Sequence, residues 1–450
     1  MNQGLTELEM IRYIETSLMA RVPEHKLRPR LEPTRRAVEL LGDPQKMYRV
    51  VHITGTNGKT TTTRIVERIL REFGLRTGRF TSPHLIELNE RIAIDGEPIE
   101  TQKFYEVFKD IEPVLEIVDQ ELLAAGDLRL TFFEALAVLG FACFAEAPVD
   151  VLVLEVGMGG EWDSTNVADG DVAVFSPIDL DHIERLGSTI KEIATTKSGI
   201  IKPGSAVVSS MQKPEALAVL KDKTAAVADS FDVYGENFEV TSVSEDHVGI
   251  TFSLKSLAGE YENLFIPLHG KYQAENAALA IAAVEQFFGS AQNALPDAIL
   301  RSALADVTSP GRLQIIDKRP TVLLDAAHNP HGARSLAHSL FNSFGSPAAV
   351  GVLSVLADKD ARGVLEALEP VLLEVILTES SSTRATDSNE LANLAKEIFG
   401  AERVHTAANV AEGWALAKTK VSQDGMIVIS GSITLVGDAL KLKQQEEANG

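Results

Sequence analysis

The stretch VVHITGTNGKTTTTRIVERIL, Val50 to Leu70, constrains this chain more than any other. A short β-branched run is followed by Gly-Thr-Asn-Gly, a lysine, four threonines and an amphipathic helical pattern, so the spacing predicts strand, tight turn and helix. Gly55 and Gly58 allow the backbone to fold so that successive N–H groups point inward, and a helix starting near Thr60 adds the positive end of its dipole. Such a turn cradles an anion. Lys59 can reach a β- or γ-phosphate, and a hydroxyl from Thr60 or Thr61 can sit on Mg²⁺, which makes Gly55, Thr56, Asn57, Gly58, Lys59, Thr60 and Thr61 the candidate nucleotide loop. The usual motif has a further glycine where this chain has Ile53, so the loop is a shortened G-x-x-G-K-T variant.

The chain has 450 residues, too many for one ordinary core, and two or three domains are expected. A formal charge of −22 argues against a nucleic-acid partner or an anionic membrane surface, so anionic ligands must be met by local devices. The single cysteine, Cys143, lies in an apolar helical run and reads as core. The opening residues lack the pattern of a secretory signal, and no apolar run reaches membrane-spanning length, so a cytoplasmic location is expected.

From Arg49 to about Pro203, β-branched runs alternate with helical periodicity, which reads as βαβ units on a parallel sheet. Between Asp232 and Leu268, FEVTSV, VGITFSL and NLFIPL read as a small antiparallel meander, and a helix from about Gln273 to Phe287 follows. DVTSPGRLQ, Asp306 to Gln314, carries the turn residues of a linker. Beyond it TVLLDA, VGVLSVL, EVILT, RVHTA and MIVISG alternate with helical segments, predicting a five-strand Rossmann-like α/β domain and a frayed tail. The fold class is therefore α/β, with domains at 1–308 and 309–450.

Two further segments bear on chemistry. DVLVLEVGMGG is a buried strand that delivers Glu155 to its carboxyl end, where ligands of parallel sheets bind and where an acid can hold Mg²⁺. FSPIDLDHIERLG supplies Asp179, Asp181 and His182 near the same edge, although an isolated histidine is more often a surface residue.

The motifs GTNGKT, TSPHL, NERI, EVGMGG with DSTNV, DHIERLG, KSGIIKPG, HGKYQAENAALA, SPGR and DAAHNP occur in the order seen in folylpolyglutamate synthases and bifunctional dihydrofolate synthases, relatives of the Mur ligases. This resemblance runs from about Arg49 to Asp438. It implies an ATP-dependent ligase that activates a folate-type carboxylate, of dihydropteroate or a reduced folate, as an acyl phosphate for attack by L-glutamate. It further implies that Thr60, Ser82 and Glu155 ligate one Mg²⁺, that His182 and Glu155 share a second, and that K⁺ is a further cofactor. Asn276, Arg312 and Asp325 match ATP contacts, and Arg91, His328 and Ser432 match glutamate-binding positions. Folate recognition would come from Ser82, Pro83 and His84 of TSPHL, from Thr131 and Phe133, and from Asp163 and Ser164; a phenylalanine at helical spacing is also a common core residue. Lys197 matches a position that relatives carry as a carbamate, so Lys59, Glu155, His182 and Lys197 form the expected catalytic set.

Two positions depart from the family pattern. Glu161 stands where a basic residue is usual, and GSITLVG replaces GSLYLVG around Ser432. A peptidoglycan-precursor ligase of Mur type and a regulatory nucleotide switch are the competing readings; TSPHL and DAAHNP favour folate over the former, and the missing N-K-x-D motif disfavours a guanine-reading switch. A monomer is expected.

Overall fold

The computed structural model describes residues 5–22, 29–246, 248–289, 294–345 and 348–449. They cluster into two compact units, Met1–Ser242 with Ser253–Leu264 and Glu275–Asp306, and Val243–Phe252 with Phe265–Ala274 and Val307–Gly450. The division at Asp306/Val307 lies close to the 308/309 boundary expected from the linker. Segments 243–252 and 265–274 nevertheless group with the carboxyl-terminal unit, because long-range bonds tie them there: Glu245 accepts from Gly270 N at 2.8 Å and from Ser343 Oγ at 2.6 Å.

The first unit is built on strands β1 (Arg49–Thr54), β2 (Thr77–Phe80), β3 (Ile92–Ile94), β4 (Glu97–Pro98), β5 (Val151–Glu155), β6 (Val172–Phe175), β7 (Ala206–Ser209) and β8 (Ser230–Val233), ordered β4-β3-β2-β5-β1-β6-β7-β8. Neighbours from β2 through β8 pair in parallel, and β3 and β4 extend the edge in antiparallel fashion. β5 is buried along its whole length and β1 at all but Arg49, as expected of strands covered by helices on both faces. One apolar cluster joins helices Thr101–Ala124 and Phe132–Glu146 to one side of this sheet, and a second gathers Phe175, Ile193, Val207 and Leu220. Cys143 is buried in the first cluster and its thiol pKa is pushed up by desolvation, as the core reading requires.

β2 escapes sequence reading because its residues, TGRF, lack an apolar period. All four are buried, and one acid meets both polar side chains: Glu67 accepts from Thr77 Oγ1 at 2.6 Å and from Arg79 Nη1 at 3.2 Å. Strands β9 (Glu239–Glu245), β10 (Ile250–Lys255) and β11 (Glu260–Ile266) form a separate three-stranded sheet ordered β11-β10-β9, not an extension of the large one. Their connections are too short for parallel crossovers, so the meander is antiparallel as expected.

The second unit carries β12 (Gln314–Lys318), β13 (Thr321–Leu324), β14 (Ala349–Leu353), β15 (Glu374–Leu377), β16 (Val404–Thr406) and β17 (Met426–Ser430), ordered β12-β13-β17-β14-β15-β16. Five strands run parallel as anticipated, and β12 adds an antiparallel edge with an irregularity between Ile315 and Asp317. The terminal segment expected to fray instead continues the helix Ile433–Asn449.

Candidate active site

The nucleotide loop forms where β1 hands over to the helix Lys59–Glu72. Gly58 is its left-handed cap at φ +86°, and Gly55 has φ +147°. Neither tolerates a side chain: a Cβ on Gly55 would lie 1.9 Å from Ser176 Oγ, and one on Gly58 would lie 2.8 Å from Asn276 Oδ1. The loop is therefore packed directly against the end of β6 and against Asn276, the ATP candidate of the HGKYQAEN segment. Thr56 completes the attachment, since its amide donates to Pro177 O at 2.9 Å and its hydroxyl to Asp179 O at 3.0 Å.

Two cations meet on this loop. Lys59 Nζ donates to Gly55 O at 3.1 Å and Thr56 O at 3.2 Å, and Lys197 Nζ donates to the same Gly55 O at 2.8 Å. Lys197 is 4% exposed at the end of helix Ile190–Lys197. Burial first, and Lys59 second, draw its pKa down to about 7, against the opposing pull of Asp181 and Asp163. Its main chain is held by the glycine-rich turn: a Cβ on Gly160 would meet Lys197 O at 2.6 Å, and one on Gly199 would meet Glu161 Cα at 2.4 Å.

At the carboxyl end of β5, Glu155 is 1% exposed and accepts from Thr60 Oγ1 at 2.9 and 3.1 Å. Among the described residues no three His, Cys, Asp or Glu side chains group as a metal site. A hydroxyl and one carboxylate side by side nonetheless suit Mg²⁺, which takes oxygen ligands and keeps several waters. His182, also expected at a metal, sits in left-handed conformation beside Asp181, with Nε2 3.8 Å from Asp181 Oδ2 and its amide bonded to Oδ1 at 2.9 Å.

The expected folate residues fall into two groups. Ser82 and Pro83 lie in the loop after β2, and His84 of that loop accepts from Arg91 Nε at 3.0 Å, so TSPHL and NERI are joined. The carboxylate of Glu90 shapes the loop by accepting from the amides of Leu85, Ile86 and Glu87 at 2.9 to 3.0 Å. The other group is built into the framework. Thr131 caps helix Phe132–Glu146 in a reciprocal box with Glu134, whose carboxylate also takes both Arg30 Nε and Nη2 at 2.8 and 2.9 Å. Phe133 is a core ring, edge-on to Phe80 at 6.1 Å, and its Cζ would be 2.4 Å from a Cβ on Gly157. Asp163 accepts from Met158 N at 2.7 Å and Thr165 Oγ1 at 2.6 Å, which stitches the glycine-rich turn, and burial raises its pKa. Ser164 Oγ accepts from Thr34 Oγ1 at 3.2 Å.

In the second unit, Asp325 ends β13 buried and accepts from Leu313 N and Ala327 N, each at 2.9 Å; burial raises its pKa while Arg312 opposes the rise. Asp325 thus fixes the SPGRL turn that carries Arg312. His328 Nδ1 lies 2.9 Å from Ala326 O. Ser432 is fully buried, and its hydroxyl accepts from Thr434 N at 3.2 Å. Sequence reasoning named Asp179 but missed Ser176, which packs on the nucleotide loop, and Thr54, whose hydroxyl donates to Gly159 O at 2.9 Å; a polar residue ending a buried apolar strand was the available signal.

The Mur ligase middle domain matches residues 53–284, and the Mur ligase glutamate ligase domain matches 311–433. The chain is 42% identical to a dihydrofolate synthase/folylpolyglutamate synthase of Mycobacterium tuberculosis, over 97% of this chain and 94% of that protein. It is 32% identical to the protein of the same name from Bacillus subtilis, over 92% and 95%. A Mycobacterium tuberculosis folylpolyglutamate synthase structure complexed with ADP superposes with a TM-score of 0.93 at 40% identity, covering 97% of this chain and 99% of that one. With both domains matched and relatives aligned over nearly their full length, the chain belongs to the dihydrofolate synthase/folylpolyglutamate synthase family of Mur ligases.

Proposed function

We propose that this chain is an ATP-dependent ligase that joins L-glutamate to the carboxylate of dihydropteroate, a reduced folate or both. The observation that carries the reading is the pairing of Thr60 with Glu155 beside a loop that gathers Lys59 and Lys197. In the reaction, a carboxylate oxygen attacks the γ-phosphorus, ADP leaves, and the glutamate amine then displaces phosphate from the acyl phosphate with loss of a proton. Gly55 to Thr61 and Asn276 bind the nucleotide, and Lys59 neutralises phosphate charge as a point cation. Thr60, Ser82, Glu155 and His182 would hold Mg²⁺ at two sites; the ion withdraws charge from the transferring phosphoryl group. Ser82, Pro83, His84, Thr131, Phe133, Asp163 and Ser164 are assigned to the folate substrate, the last four as framework around it. Arg312 and Asp325 are assigned to ATP, and Arg91, His328 and Ser432 to glutamate, on the motif match.

Lys197 is assigned as a carbamate. Its neutral amine adds to CO₂, forming an N–C bond with release of one proton, and the cation becomes an oxygen ligand suited to Mg²⁺. The depressed pKa supports this assignment. Density for a carboxylate on Lys197 in crystals grown with bicarbonate, and recovery of Lys197→Ala by short carboxylates, are expected; plain lysine density with full activity after CO₂ removal would exclude it. K⁺ as an activator, a monomeric state and a cytoplasmic location complete the proposal.

The deciding experiment is ADP release measured with and without dihydropteroate or a reduced folate plus glutamate. Release that requires both acceptors is expected. Turnover of a UDP-linked peptidoglycan precursor in place of folates would overturn the substrate class, and release independent of acceptors would favour a nucleotide switch.

A further inference from the structure

Helix Lys59–Glu72 carries Thr60, Arg64, Glu67 and Arg71 at steps of three and four residues, so their side chains run along one face. Three of the four have clear partners. Thr60 donates to Glu155, Glu67 takes Thr77 and Arg79, and Arg71 Nη1 donates to Asp95 O at 2.8 Å. Arg64 differs: it forms no hydrogen bond or ion pair with any described residue, although Glu67, Glu90 and Glu155 lie close enough to attract it and Arg79 close enough to repel it.

The neighbours locate its guanidinium. Glu155 ends β5 at the metal-binding edge, and Glu90 is the acid clamped to the amides of Leu85, Ile86 and Glu87 in the TSPHL loop. Arg64 stands one helical turn on from Thr60, which bonds Glu155, on the face where Glu90 of the folate loop also attracts it, and it keeps part of its surface open. Desolvation lowers its pKa to about 10, which leaves it a cation at neutral pH. A guanidinium has five donors, and those of Arg64 keep access to solvent, so they are available to an incoming anion.

On the ligase reading above, three anions enter the site. ATP phosphates have the nucleotide loop and Lys59, and the glutamate carboxylate has candidates of its own. The remaining anion is the carboxylate to be activated, which must approach the like charge of Glu155. We propose that Arg64 binds this reacting carboxylate, offsets its repulsion by Glu155, and holds it for phosphoryl transfer.

The test compares dihydropteroate, which has a single carboxylate, with the amide of that carboxylate. Affinities for both are measured in wild type, Arg64→Met and Arg64→Lys, with thermal melts and affinity for a non-hydrolysable ATP analogue alongside. Wild type should bind the amide about tenfold or more weakly than the acid, the range of a charge-assisted hydrogen bond. Arg64→Met should bind acid and amide alike with its ATP-analogue affinity kept, and Arg64→Lys should recover part of the preference. A folded Arg64→Met protein that keeps the full acid preference would overturn the proposal, as would one that loses only ATP-analogue affinity. Should Arg64→Met fail to fold, Arg64→Lys decides by the same ratio, an unchanged preference counting against the proposal. Failure of wild type to turn over either dihydropteroate or a reduced folate with ATP and glutamate would overturn the ligase reading itself, a result separable from the others.

Discussion

Lys59 and Lys197 both donate to one atom, the carbonyl oxygen of Gly55, at 3.1 and 2.8 Å. Burial first, and repulsion by Lys59 second, lower the pKa of Lys197 to about 7. The unfolded chain, with lysine near its ordinary value of about 10.4, then binds more protons than the folded chain between roughly pH 7 and 10, so stability rises with pH through that window. In CO₂-free buffer the wild-type urea midpoint should climb from pH 7 to pH 9 by an amount equivalent to on the order of 2 kcal/mol. Lys197→Met should lack most of that slope, and parallel profiles for the two proteins would contradict the assignment of the shift.

Lys59→Ala should cut turnover by on the order of 100-fold or more, the scale for removing one charge stabiliser from a transition state. Its bonds to Gly55 O and Thr56 O lie within its own loop, so the melting temperature should barely move. Activity near wild type in the folded variant would remove lysine from the phosphoryl-transfer step.

Replacing Glu155 by glutamine retains the shape and the contact with Thr60 but deletes the charge. The Mg²⁺ concentration for half-maximal rate should increase about tenfold, in line with one lost charged ligand worth roughly 1.4 kcal/mol. An unchanged Mg²⁺ titration would mean that the ion is held elsewhere.

Gly55→Ala forces a methyl to within 1.9 Å of Ser176 Oγ at φ +147°, a conformation closed to other residues. Backbone strain of about 1–3 kcal/mol adds to the steric overlap. Both the melting temperature and ATP-analogue affinity should fall, as calorimetry would detect, whereas wild-type affinity in this variant would dissociate the loop from nucleotide binding.

Glu161 is exposed while its backbone is pinned, with N donating to Thr196 O at 2.8 Å and O accepting from Asn166 Nδ2 at 2.9 Å. Reversing its charge with Glu161→Arg should therefore leave the turn intact and raise affinity for longer, more anionic polyglutamylated substrates, most of all at low salt. Identical kinetics at every chain length and salt concentration would place it away from the substrate path.

Local chemistry made much of this protein legible before any folding was considered. The glycines, lysine and threonines of GTNGKT are adjacent in the chain, so their spacing alone announces a turn before a helix, and the apolar runs of β1, β5 and β6 announce buried parallel strands. Other roles depend on residues far apart in sequence. TGRF became a buried strand with Glu67, ten and twelve residues back on a helix, accepting from Thr77 and Arg79. Tertiary packing set Phe133 against Phe80 and Gly157 and brought Lys197 to Gly55. Backbone propensity and hydrophobic period act over a few residues and can be read from the sequence. Desolvation, charge repulsion and the search of buried polar groups for partners act through space, so the pKa of Lys197 and the unpaired guanidinium of Arg64 exist only once the chain has folded.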